Sequence, residues 1–195
     1  MYPRLAIPVA AAITIASGVF LGAQNQAPPA PPPRAVAPGQ GDSNNSKSAD
    51  HAFVTEAAMG GMAEVDFGKL ASEKASNPKV KEFGQRMVAD HGKAGDELKA
   101  LAASKQITLP ASIDAKHKAT RDKFERLSGA EFDRAYVSDM LADHKKDVAA
   151  FVEESMSGKD SDVKAWAAKT LPTLREHLRM IEELNKELGP SRATQ

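Results

Sequence analysis

The sequence predicts an all-α domain, an antiparallel four-helix bundle over residues 51–188 with a shorter connecting helix between two helical hairpins. Three observations predict it. From residue 51 onward, apolar side chains recur at alternating steps of four and three, the repeat of one helix face. Residues that start and stop helices stand at the ends of those runs. The runs are also long, about 25–28 residues or roughly 40 Å at 1.5 Å per residue, which suits a bundle better than a small globular domain.

Two segments precede the domain. Residues 1–23 read as an export signal: Arg4 gives the positive start, Leu5 to Gly22 is apolar apart from Thr14 and Ser17, and Leu21-Gly22-Ala23 offers a cleavage point. The alternative is an uncleaved N-terminal anchor, because the run approaches the length that spans a bilayer, but Pro8 and the Gln/Pro-rich stretch that follows fit a processed leader better. Residues 24–50, rich in Pro, Gly, Gln, Asn and Ser, predict a linker that is stiff at Pro28–Pro33 and looser after it.

The helices follow in order. The first long helix, near 51–76, places Phe53, Ala57, Gly60, Glu64, Phe67 and Ala71 on one face. Asn77-Pro78 ends it and starts the second, near 79–104, with Asn as N-cap and Pro at the first helical position. That helix turns Val80, Gly84, Met87, His91, Ala94, Leu98 and Leu101 inward. Pro110 closes this hairpin, and Ile113 to Leu127 predicts the connecting helix. Ser128-Gly-Ala-Glu131 reads as a capping box for the third long helix, near 130–156, which turns Val137, Met140, His144, Val148 and Phe151 inward. The fourth, near 161–188, carries Val163, Thr170, Leu174, His177, Ile181 and Leu184, and Gly189-Pro190 stops it, leaving a tail to 195. The Val80-Lys81 and Val163-Lys164 pairs, each after a cap and before an aromatic, echo one another.

Composition narrows the function. There is no cysteine, which excludes a lipobox, a disulfide framework, thiolate ligation and a Cys nucleophile. Acidic and basic residues balance at 26 each and are interspersed along the helices, so no nucleic-acid footprint is present. No Ser/His/Asp spacing, Gly-rich loop or zincin motif supports a hydrolase.

The informative residues are His91, His144 and His177, which occupy apolar-stripe positions on three different helices. A buried imidazole needs partners for its nitrogens, and hydrocarbon offers none. Glu64 holds a matching position on the remaining long helix. Glu64 and His91 are equally far from the turn at Asn77-Pro78, and His144 and His177 are nearly so from the turn near Lys159. All four therefore fall at mid-height, where bundles build metal sites. His91, His144, His177 and Glu64 are the candidate metal ligands, for a mononuclear transition metal such as Cu, Zn or Fe. Met87 and Met140, one turn before two of the histidines, are candidate thioether donors or core filler. Asp90, Asp143 and Glu176 each precede a histidine by one residue, rotated about 100° from it, and read as solvated. His51 and His117 read as surface residues, and Trp166 as core.

With Phe53–Leu70 (FVTEAAMGGMAEVDFGKL), Met87-Val-Ala-Asp-His91, Phe132-Asp-Arg-Ala-Tyr136 and Leu171-Pro-Thr-Leu-Arg-Glu-His177-Leu178, the chain resembles the DUF4142 family over about 51–188. The resemblance implies a ferritin-like bundle and placement in the periplasm or envelope; it implies no catalytic mechanism. Ferritin-like di-iron proteins carry Glu three residues before His. Here Val88, Leu141 and Leu174 stand at those positions, which favours a mononuclear His-rich site over a di-iron carboxylate centre.

Two functions compete. One is an exported envelope protein binding a metal ion through the histidine layer, in metal or oxidative-stress handling. The other is a non-catalytic structural or interaction bundle whose histidines form a hydrogen-bonded polar layer. In both, contact with a membrane comes only through an uncleaved leader.

Overall fold

The computed structural model describes residues 41–189, and there it contains five helices and no strand. The leader, most of the linker and the tail after residue 189 lie outside the described residues. The helices are α1 (Gly41–Lys74), α2 (Pro78–Ser104), α3 (Ala115–Arg126), α4 (Gly129–Ser157) and α5 (Ser161–Leu188). The domain is all-α.

Local chemistry explains most helix ends. Asn77 Oδ1 accepts the Lys79 N–H and Pro78 opens α2, as the cap and N1 preferences require. Asp160 likewise accepts from Asp162 and Val163 at the start of α5, and Gly189, at φ 70°, ends that helix. Two ends differ from the sequence prediction. Helix α1 begins at Gly41, inside the stretch assigned to the linker, because extending a formed helix adds one hydrogen bond per residue and needs no apolar repeat. Ser128 precedes α4 but its side chain makes no capping bond: Gly129, at φ 59°, turns the backbone left-handed between the hydroxyl and the N–H groups it would meet.

Helices α1 and α2 form one hairpin and α4 and α5 the other, with further packing of α1 on α4 and α2 on α5. The first hairpin closes on a pair of glycines at its contact. A Cβ on Gly68 would lie 2.6 Å from the Gly84 carbonyl oxygen, and one on Gly84 would lie 2.7 Å from Ala71 Cβ.

Each hairpin turn is held by an aspartate from the other hairpin. Asp133, in the first turns of α4, accepts from the Ser76 and Asn77 N–H groups and the Ser76 hydroxyl. Asp50 of α1 accepts from the Lys159 and Asp160 N–H groups. These contacts set the ends: α4 starts where α1 meets α2, so the connection through α3 travels the length of the bundle. They also reveal a pseudo-two-fold, since Asp50/Asp133, Asn77/Asp160, Val80/Val163 and Phe83/Trp166 are each 83 positions apart.

The core divides into two apolar clusters. One, around the α1–α2 turn, contains Phe67, Phe83, Met87, Phe124, Phe132, Tyr136, Met140 and Ile181. The other, around the α4–α5 turn, contains Val54, Leu98, Phe151, Trp166 and Leu174. A polar layer lies at the height between them.

Candidate metal centre

The polar layer gathers side chains from all four long helices. Glu64 on α1, His91 on α2, His144 on α4 and His177 on α5 are all buried, the last two completely. Ring centroids are 5.8 Å apart for His91–His144, 5.3 Å for His91–His177 and 5.5 Å for His144–His177. One nitrogen of each ring lies within 4.8 Å of one nitrogen of the other two. A tetrahedral ion at about 2.0–2.1 Å separates its nitrogen ligands by roughly 3.3 Å, so small ring rotations suffice to close the set.

Each ring is oriented through one nitrogen and bare at the other. His91 Nδ1 donates to Glu64 Oε2 at 2.9 Å, His144 Nδ1 to the Met140 carbonyl at 3.0 Å, and His177 Nε2 to Asp90 Oδ2 at 2.8 Å. His91 Nε2, His144 Nε2 and His177 Nδ1 are buried with no hydrogen-bond partner in the protein. An acceptor on one ring nitrogen fixes the tautomer and leaves the lone pair on the other, which is how outer groups prepare metal-binding histidines.

Burial dominates the electrostatics. It lowers His91 to about 4 against the attraction of Asp147 and Asp90, and lowers His177 to about 4 against its hydrogen bond to Asp90. His144 is lowered by burial too, opposed by the Glu64 charge and reinforced by the other two rings. Burial raises Glu64 to about 7, opposed by His144. The Glu64–His91 contact is thus a hydrogen bond from a neutral imidazole rather than a fixed ion pair. At neutral pH the three rings are uncharged.

Two residues that matter here escape helix-face reasoning. Asp90, expected to be solvated, orients His177, because the direction rotated 100° from His91 points along the seam with α5. Asp147, on α4 three residues after His144, shares that ring's face and joins Glu64 and His144 in a second group of converging donors within 4.8 Å. Burial and the Glu64 charge raise Asp147 to about 8. A signal existed, since Asp147 follows Glu64 by the 83 positions that relate the hairpins. Glu176 instead pairs with Arg179, and Asp143 with Lys146. His51 is exposed, and His117 donates its Nδ1–H locally to Asp114. Met87 and Met140 are fully buried in the first apolar cluster.

The layer has two openings. A cleft of about 860 Å³ between α1 and α4, roofed by residues 109–113 and α3, is lined by Glu64, His91 and Asp147 among others. A smaller one of about 190 Å³ between α2 and α5 reaches Asp90, His91 and His177.

The model of a domain of unknown function, DUF4142, matches residues 35–184. The chain belongs to the DUF4142 family. Solved structures share its fold. A DUF305 fragment from Deinococcus radiodurans is 15% identical, with TM-score 0.62, covering 71% of this chain and 96% of that one. A DUF305 protein from Streptomyces coelicolor is 14% identical at the same TM-score, covering 75% and 96%. A conserved hypothetical protein from Mycobacterium tuberculosis is 17% identical with TM-score 0.54, covering 77% and 97%. At such identities the likeness is one of fold. No curated protein matches the chain.

Proposed function

We propose that this protein is exported to the cell envelope and binds a transition-metal ion, Zn, Cu or Fe, through His91, His144 and His177. The observation that carries the reading is the matched pattern of the three rings: one nitrogen of each donating to Glu64, Asp90 or a carbonyl, the other bare and buried. A layer serving only to fix helix register gains nothing from three unpartnered nitrogens, each of which costs about 1–3 kcal/mol when buried. Glu64 orients His91 with one oxygen and keeps the other for further use. Three neutral nitrogens suit borderline ions and leave a fourth position open toward the cleft.

Export is supported by the apolar leader and by the fold shared with the Streptomyces coelicolor protein, which is described as a candidate secreted protein. No helix among the described residues is long and apolar enough to cross a membrane. A handling role, in metal supply, sequestration or stress, fits a reachable site with an open position.

Metal titration of untagged, chelator-stripped protein tests the site. At free metal about 100-fold above Kd, binding should raise Tm by about 5–10 °C. His177→Leu should abolish the rise while leaving the helical circular dichroism intact. If Zn, Cu and Fe all leave the wild-type Tm unchanged, the histidines are a structural layer.

A further inference from the structure

The pseudo-two-fold relates more than the turns. It pairs Glu64 on α1 with Asp147 on α4, the same position in the first helix of each hairpin, and both line the cleft between those helices. Glu64 is 5% exposed, and with Oε2 engaged by His91 its Oε1 has no hydrogen-bond partner. That free oxygen lies 3.6 Å from His144 Nδ1. Glu64, His144 and Asp147 each offer a donor atom within 4.8 Å of the other two. His144 stands in this group and in the three-histidine group, and since its Nδ1 proton is held by the Met140 carbonyl, its one lone pair, on Nε2, goes to the three-histidine site and leaves the carboxyls as the ligands here.

We infer that Glu64 and Asp147, with His144 between them and the three-histidine site, form a second divalent-cation site at the floor of the cleft, making the centre a two-ion centre. This rests on the three-histidine reading given above. The charge pattern supports it. A buried carboxyl meets a half-buried one at the cleft, and among the described residues neither has a Lys or Arg partner, Lys146 being turned to Asp143. A divalent cation displaces the protons these two carboxyls hold and gains both as oxygen ligands, and the cleft supplies water for its remaining positions.

The chemistry of the two sites differs. Three neutral nitrogens select borderline ions, whereas two carboxylate oxygens with water suit a harder ion such as Mn(II) or Fe(II). Space permits entry from the α1 side, because a Cβ added at Gly60 or Gly61, both on the cleft wall, would meet nothing within 4 Å.

The test uses the full chain, stripped by chelator and loaded with one equivalent of Zn(II). Mn(II) is then added and the free ion is followed by electron paramagnetic resonance. One Mn(II) per chain should bind. Asp147→Asn should weaken that binding about tenfold or more while Zn(II) content stays at one per chain. Glu64→Gln should weaken Mn(II) binding as well, and serves as the second variant should Asp147→Asn misfold. If Zn(II) loads but Mn(II) does not bind, or binds equally to the wild type and both variants, the second site is overturned and the histidine site stands. Cu(II) or Fe(II) replaces Zn(II) should Zn(II) fail to load, and if none of the three loads, the histidine site and the two-ion centre fall together.

Discussion

Asp90 controls which nitrogen of His177 can act. Its carboxylate holds the Nε2 proton at 2.8 Å and so keeps Nδ1 bare. Although partial burial acts to raise Asp90, its bonds from His177 and Arg86 hold it below the usual carboxylate range, which favours its role as an acceptor. Asp90→Ala should therefore lower metal affinity about 10–100-fold, read by competition with a chromophoric chelator. Affinity equal to wild type would show that His177 is not a ligand oriented in this way. The histidines themselves were legible in the sequence because they interrupt an apolar stripe. Asp90 was not, because a helix wheel knows an inside and an outside but not the seam between two neighbours. Asp147 was hidden for another reason: the ferritin-like pattern places its carboxylate three residues before each histidine, and this one stands three after.

Among elements, the hairpin turns show where local chemistry determines structure and where it does not. Asn77-Pro78 and Gly189 end helices as read, since each acts on its own backbone. The brace from Asp133 to Ser76 and Asn77 spans more than 50 positions and leaves no local trace. Asp133→Ala strands those N–H groups and should cost about 1–3 kcal/mol. Urea unfolding measures it, and a loss within 0.5 kcal/mol (the scale of an ordinary surface change) would mean water replaces the brace. The α1–α2 contact makes a second case. Gly84 reads as one more small residue at an inward position, yet a Cβ there meets the Gly68 carbonyl at 2.8 Å. Backbone cannot rotate aside, so Gly84→Ala should destabilise by about 1–3 kcal/mol despite alanine's better helix propensity. A stabilised Gly84→Ala protein would show that the hairpin can part at little cost.

For the whole molecule, a polar layer between two apolar clusters makes stability depend on pH from both sides. The histidines, near 6.5 in an unfolded chain, are lowered in the fold, His91 and His177 to about 4. Their contribution is therefore complete above pH 6.5 and is lost as pH falls, because unfolding takes up protons that the fold refuses. Glu64 and Asp147 act in the opposite sense. Raised to about 7 and about 8, they hold protons that the unfolded chain has released above its own values near 4, so their contribution is lost as pH rises through 7 to 8. Three groups drive the acid side against two carboxyls, and two carboxyls alone drive the alkaline side. The metal-free protein should be most stable between about pH 6 and 7, losing up to about 1.4 kcal/mol per pH unit for each net proton on either flank. Urea unfolding of chelator-stripped protein from pH 4.5 to 8.5 reads the curve. His177→Leu should flatten the acid flank by removing one proton, and Asp147→Asn the alkaline flank. Stability that climbs steadily to pH 8.5 would mean that both carboxyls are ionised in the metal-free fold, and that the layer carries its negative charge before any cation arrives.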